Sequence, residues 1–124
     1  MRVEIENWWK QAKRDLLSAE NSLKSKDYYL CAFMCQQSVE KGLKALYIRA
    51  QGSLWKVHDL VKLAREVKAP EEIVFKCAQI NPVYVAVRYP EPNELPSEKI
   101  SKTEAERMMS LAAEVLKWIG KKLL

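Results

Sequence analysis

Apolar residues return every third or fourth position along most of this chain, and the polar residues between them mark where each periodic run starts and stops. Trp9, Ala12, Leu16, Ala19 and Leu23 keep the 3.6-residue period of an amphipathic helix, which predicts a first helix from about Glu4 to Ser25. Lys10, Lys13 and Arg14 then face elsewhere. Asp27 stands where an N-cap belongs for a second helix, whose stripe is Tyr28, Cys31, Cys35, Val39, Leu43 and Leu46, with Gly52 just beyond its end. A helix of that length is expected to be central. Leu60, Leu63, Ala64 and Val67 predict a short third helix, and Pro70 followed by Glu71 and Glu72 makes a favourable first turn for a fourth.

Pro82 interrupts the fourth segment. The run Val83-Tyr84-Val85-Ala86-Val87 is rich in β-branched residues, and local propensity alone would make it a strand. A lone strand has no partner elsewhere in the chain, so a helix restarted at Pro82 with Asn81 as its cap is the better expectation. Arg88 to Ile100 carries Pro90, Pro92 and Pro96 and reads as a loop, either functional or simply bridging two distant helix ends. Ser101-Lys102-Thr103-Glu104 has the spacing of a capping box, and Ala105, Met108, Ala112, Val115, Leu116 and Ile119 form the stripe of a last helix. The expected fold is therefore all-α, an up-and-down bundle of about five helices in one domain, residues 1–124.

Composition agrees with this. Only three of 124 residues are glycine, and glycine costs about 1 kcal/mol per helical position relative to alanine. A chain of this size buries enough surface to fold without disulfides or a metal. The formal charge of +5 permits attraction to nucleic acid, but the basic residues alternate with acids rather than forming a basic arm. No stretch approaches the roughly 18 apolar residues of a membrane-spanning helix, and Met1-Arg2-Val3-Glu4 lacks the core of a signal peptide, so a cytoplasmic setting without membrane contact is expected. Cys31, Cys35 and Cys77 form no CxxC pair and no even disulfide framework; they read as reduced, buried small residues, or alternatively as a redox or metal group. Trp8 and Trp9 are about 100° apart on a helix and cannot both face one core. One of them packs at the core's edge or lies in a subunit interface, as does Trp118 near the chain end.

The chemistry begins with absences. GxGxxG, GxxxxGK[ST] and HExxH do not occur, and His58 is the only histidine, which excludes a multi-histidine metal centre and weakens any catalytic triad. No cofactor and no metal are expected. What remains is a polar row on the second helix. Gln36, Glu40 and Lys44 are spaced i, i+4, i+8, with Gln37 and Lys41 beside them, so the five groups share one side of the helix. The row is either a solvated face, with Glu40 and Lys44 as an ordinary i, i+4 pair, or the floor of a polar cleft that hydrogen-bonds a base or a phosphate.

The segment Phe33-Met34-Cys35-Gln36-Gln37-Ser38-Val39-Glu40-Lys41-Gly42-Leu43-Lys44-Ala45-Leu46, then His58-Asp59-Leu60 with Leu63, then Arg88-Tyr89-Pro90, resembles the HEPN family, the higher eukaryotes and prokaryotes nucleotide-binding domain, over about Ala12 to Trp118. The resemblance implies a helical bundle that usually dimerises, works in the cytoplasm and often pairs with a separately encoded minimal nucleotidyltransferase, in some cases as a toxin–antitoxin system. This chain lacks the glycine and paired aspartates such a transferase needs after Gly52-Ser53. Many family members are metal-independent ribonuclease toxins that use an arginine followed, after four to six residues, by a histidine. Arg88 matches the arginine, but Asn93, Glu94 and Leu95 occupy the histidine's places, and none can move a proton as imidazole does. His58 stands where the family places a histidine at the start of the third helix, either packing there or touching a ligand. Arg88 also suits a helix C-terminus, where it would satisfy free carbonyls.

The expectation is a non-catalytic nucleotide- or RNA-binding module. Its candidate cleft comprises Gln36, Gln37, Glu40, Lys41, Lys44, His58, Arg88 and Tyr89, and its partners are a second copy and a minimal nucleotidyltransferase. A divergent ribonuclease that uses Arg88 and a purely structural interaction module are the alternatives.

Overall fold

In the computed structural model, which describes residues 2–124, the chain forms α1 (Val3–Lys24), α2 (Tyr28–Gln51), α3 (Leu60–Glu66), α4 (Glu71–Ile80), a single turn α5 (Val83–Ala86), a short 3-10 turn (Pro96–Glu98) and α6 (Lys102–Leu123). The three long helices are those whose stripes are plainest. Ala12 and Ala19 of α1, Cys31, Cys35, Val39, Leu43 and Leu46 of α2, and the whole α6 stripe from Ala105 to Ile119 are buried. Full burial of each Leu, Ile or Val contributes about 1.5–3 kcal/mol.

α2 lies in the middle and packs most extensively against α1 and α6, and to a smaller extent against α3, α4, α5 and the 3-10 turn. Its interior positions are therefore buried on nearly every side. Gly52 ends it in the left-handed conformation, φ 81°, which glycine adopts without strain. Close approach of the helices depends on two other glycines. A Cβ on Gly42 of α2 would meet Ile119 Cδ1 at 2.9 Å, and one on Gly120 of α6 would meet the Trp9 ring at 3.2 Å. Trp9 thus fills the notch between α2 and α6, while Trp8, its neighbour, lies beside Lys44, whose Nζ is 5.8 Å from the Trp8 ring centroid.

Local capping departs from expectation in three places. Asp27 precedes α2 but its side chain accepts no capping hydrogen bond. Ser101 Oγ accepts from Glu104 N at 3.1 Å, while the Glu104 carboxylate meets the Ser101 hydroxyl rather than its backbone, so only half of the capping box forms. Asn81 does not cap α5. It sits in helical conformation at the end of α4, and its side chain reaches across to the start of α3, accepting from Leu60 N at 2.9 Å and donating to Asp59 Oδ1 at 3.1 Å. Asp59 caps α3 through Val61 N and Lys62 N, so the α3 start has the stronger claim on Asn81.

Val83–Ala86 is helical, as the absence of a strand partner required. The loop that follows is a strap rather than a free connection. Glu91 and Glu94 exchange backbone hydrogen bonds across a tight turn, and Lys99 Nζ donates to Tyr89 O at 3.0 Å. Cys31, Cys35 and Cys77 are free and buried. Cys35 Sγ lies 3.5 Å from Met109 Sδ, and burial pushes the Cys77 thiol up to about 12, which keeps it protonated and unreactive. No helix among the described residues is long and apolar enough to cross a membrane.

Candidate functional site

The polar row of α2 is neither a solvated face nor an open floor. Gln36, Glu40 and Lys44 are 0%, 5% and 4% exposed, because α2 is surrounded. Burial of a charge is tolerable only where it is paired and hydrogen-bonded, and this row meets that condition within itself. Lys44 Nζ donates to Glu40 Oε2 at 2.9 Å, Gln36 Nε2 donates to Glu40 Oε1 at 3.0 Å, and Gln37 Nε2 donates to Gln36 Oε1 at 2.7 Å. No buried side-chain nitrogen or oxygen among the described residues lacks a partner.

Lys41 leaves the row altogether. It reaches α1, where its ammonium binds Asp15, itself buried and held by Gln11 Nε2 at 2.8 Å. The five groups read from sequence as one surface therefore divide into a buried cluster around Glu40 and a separate α1–α2 ion pair.

His58 connects the buried cluster to the exterior. Its Nδ1 lies 3.1 Å from Glu40 Oε2 and 3.2 Å from Oε1, while the side chain as a whole is 52% exposed. Burial alone would push the Glu40 pKa up, but hydrogen bonds from Lys44, His58 and Gln36, with the Lys44 charge, outweigh it and hold the carboxyl below its ordinary value. An ionised carboxylate only accepts, so the proton between the two groups belongs to His58 Nδ1. That fixes the ring's tautomer and orientation and leaves Nε2 without a hydrogen bond to any described residue.

A stack of flat groups continues from His58. The imidazole lies against Tyr84 of α5, ring centroids 4.7 Å apart and 17° from parallel. The Arg88 guanidinium carbon is 4.2 Å from the Tyr84 centroid and 5.1 Å from that of Phe33 on α2. Arg88 is exposed and forms no ion pair with a described residue, so its donors remain available while its plane is held by two rings. Beside it a cleft of about 410 Å³ is lined by Tyr29, Leu30, Phe33, Val87, Arg88 and Tyr89. Asn93 and Glu94 lie exposed in the strap.

Of the eight sequence-predicted residues, then, the structure brings His58 to Glu40, Gln36, Gln37 and Lys44, and places Arg88 and Tyr89 together at the cleft. Lys41 is elsewhere. Tyr84, which joins the two groups, and Phe33, which braces Arg88, were missed as site residues, although Tyr84 and Arg88 stand four apart in the sequence.

Fold and site together define a small all-helical protein with a hidden carboxylate that steadies a surface histidine beside a stacked arginine. The HEPN domain family model matches residues 5–123, and the chain belongs to the HEPN family. Among solved structures it is similar to TT1696 from Thermus thermophilus, with 28% identity and a TM-score of 0.89 over 98% of this chain and 99% of that one. It is similar also to ST0689, an archaeal HEPN homologue, with 28% identity and a TM-score of 0.83 over the full length of both. An HEPN domain protein from Thermotoga maritima shares 25% identity, with a TM-score of 0.75 over 94% and 97% of the two chains. Comparison with curated proteins gives no match.

Proposed function

We propose that this chain is a non-catalytic nucleotide- or RNA-binding HEPN module that acts as a homodimer with a separately encoded minimal nucleotidyltransferase. The observation that carries the ligand part is Arg88, exposed and without an acidic partner among the described residues, braced on Tyr84 and Phe33 at the mouth of an aromatic cleft. A guanidinium so held supplies planar donors for phosphate, and the rings supply faces for a base. Homodimer formation, cytoplasmic location and a role in a toxin–antitoxin pair are supported by the family resemblance. Calorimetric titration with nucleotides and short RNA tests the ligand reading: binding lost in Arg88→Ala at an unchanged melting temperature is expected, and no binding by the parent chain would overturn it. Co-purification with the product of a neighbouring nucleotidyltransferase frame tests the partner.

One observation favours a second reading, a divergent metal-independent ribonuclease. Glu40 orients His58 through Nδ1 as a carboxylate does in a hydrolytic triad, with Nε2 left unbonded. RNA cleavage lost in both His58→Ala and Arg88→Ala would establish it.

A further inference from the structure

The cations around the candidate site are unequal. Lys44 is sealed in the interior with Glu40, and Lys41 is bound to Asp15 on the far helix. Lys99, on the adjoining strap, is nearly buried and divides its protons between Tyr89 O and the Glu91 carboxylate. Among the described residues, Arg88 is the only charged one lining the aromatic cleft. Beyond Tyr89 the strap carries three exposed acidic residues, Glu91 paired with Lys99, Glu98 accepting from Leu95 N, and Glu94, which a phosphodiester backbone running that way would meet at close range.

From this charge distribution we infer that the cleft takes a single nucleotide unit with one phosphate on Arg88 and its base on the aromatic wall, rather than a run of RNA. This rests on the nucleotide-binding reading above. The shared chemistry is that of a nucleoside monophosphate, supplied either as a free mononucleotide or as the phosphate-bearing end of a strand. The cleft volume of about 410 Å³ lies near the small end of the roughly 300–1,000 Å³ common for small-molecule sites. Proteins that track single strands instead line a groove with several free cations and successive stacking platforms.

The experiment is titration of the full chain, across a series of salt concentrations, with the four nucleoside monophosphates and with oligoribonucleotides carrying or lacking a 5′-phosphate. Each neutralised phosphate on a single strand contributes a slope of about −0.7 to log K against log salt, so probes of about two, five and ten nucleotides should all share that one-phosphate slope. Arg88→Ala should abolish the slope and weaken binding at least about tenfold, the loss of one charge-assisted contact. Arg88→Lys should keep the slope and bind more weakly, because an ammonium does not stack on Tyr84. Binding by monophosphates identifies a free nucleotide. Binding only by oligonucleotides with a terminal phosphate identifies a strand end, and either supports the inference. A slope that steepens with length overturns the inference and leaves the nucleotide-binding reading standing, whereas binding that Arg88→Ala does not alter overturns the inference and moves the ligand away from the Arg88 cleft. No binding by any probe overturns both.

Discussion

Lys44 Nζ meets Glu40 Oε2 at 2.9 Å with both side chains less than a tenth exposed, so the same i, i+4 spacing that is worth a few tenths of a kcal/mol on a wet helix here joins two ions inside a protein core. Each is tolerable because of the other. Lys44→Ala leaves a buried carboxylate with only Gln36 and His58 as partners, and Glu40→Leu leaves a buried ammonium with no ion-pair partner and only the Trp8 ring face beside it.

Denaturant unfolding of the two single variants and the double variant is the direct measurement. Each single substitution should cost about 3–5 kcal/mol, and Glu40→Leu with Lys44→Met should cost far less than their sum, because apolar replacement of a whole buried pair is often close to neutral. Additive losses, or a Lys44→Ala effect below about 0.5 kcal/mol as expected of an exposed lysine, would contradict the buried pairing.

Acid stability follows from the direction of the Glu40 shift. Its folded-state pKa lies below the ordinary value of 4.5, so the unfolded chain takes up the proton first as pH falls. The stabilisation is fully present above that ordinary value and is lost as pH drops through it towards the folded pKa. The melting temperature should be flat from neutral pH to about 5 and then decline, with part of that decline missing in Glu40→Gln. An unchanged acid profile in that variant would show that Glu40 has no part in it.

Asn81 supplies both the acceptor for Leu60 N and a donor to Asp59 Oδ1, so Asn81→Ala should destabilise by about 1–2 kcal/mol, comparable to the loss of a helix cap. Asn81→Asp keeps the acceptor but sets a second carboxylate against Asp59. It should therefore be no better, and should improve as pH is lowered. Thermal melts of both variants across pH decide this, and a fully stable Asn81→Asp at neutral pH would refute the assignment.

Much of the fold could be read from sequence because helix period, proline and glycine act locally. Ala105 to Ile119 needs only spacing, and Val83–Ala86 becomes a helix once it is seen that no second strand exists. The site was less legible. Spacing states that Gln36, Glu40 and Lys44 are neighbours, but it does not state whether their side faces water or other helices. A usable signal was present nonetheless: Cys31, Val39, Leu43, Tyr47, Phe33, Ile48 and Met34 distribute apolar residues all around α2, the mark of a helix with no wet side. Lys41 and Asp15 lie on different helices, and their pairing requires the packing angle of α1 on α2. Tyr84, likewise, acquires its meaning only when α5 is laid against α2 and the His58 loop.

Trp9 in the notch between Gly42 and Gly120 has a consequence for how such a chain can drift over generations. The indole, the two bare α-carbons and the tip of Ile119 share one volume, so a change at any of those four positions presses on the others. Alanine at position 42 would gain about 1 kcal/mol of helix propensity, yet it requires the Ile119 δ-methyl, which now stands 2.9 Å from the added carbon, to turn aside or to be replaced by a shorter side chain. A methyl at position 120 similarly requires the Trp9 ring, 3.2 Å from the added carbon, to give way by a few tenths of an ångström or to shrink. Descendants of this sequence should therefore tend to exchange bulk among these helices in matched steps.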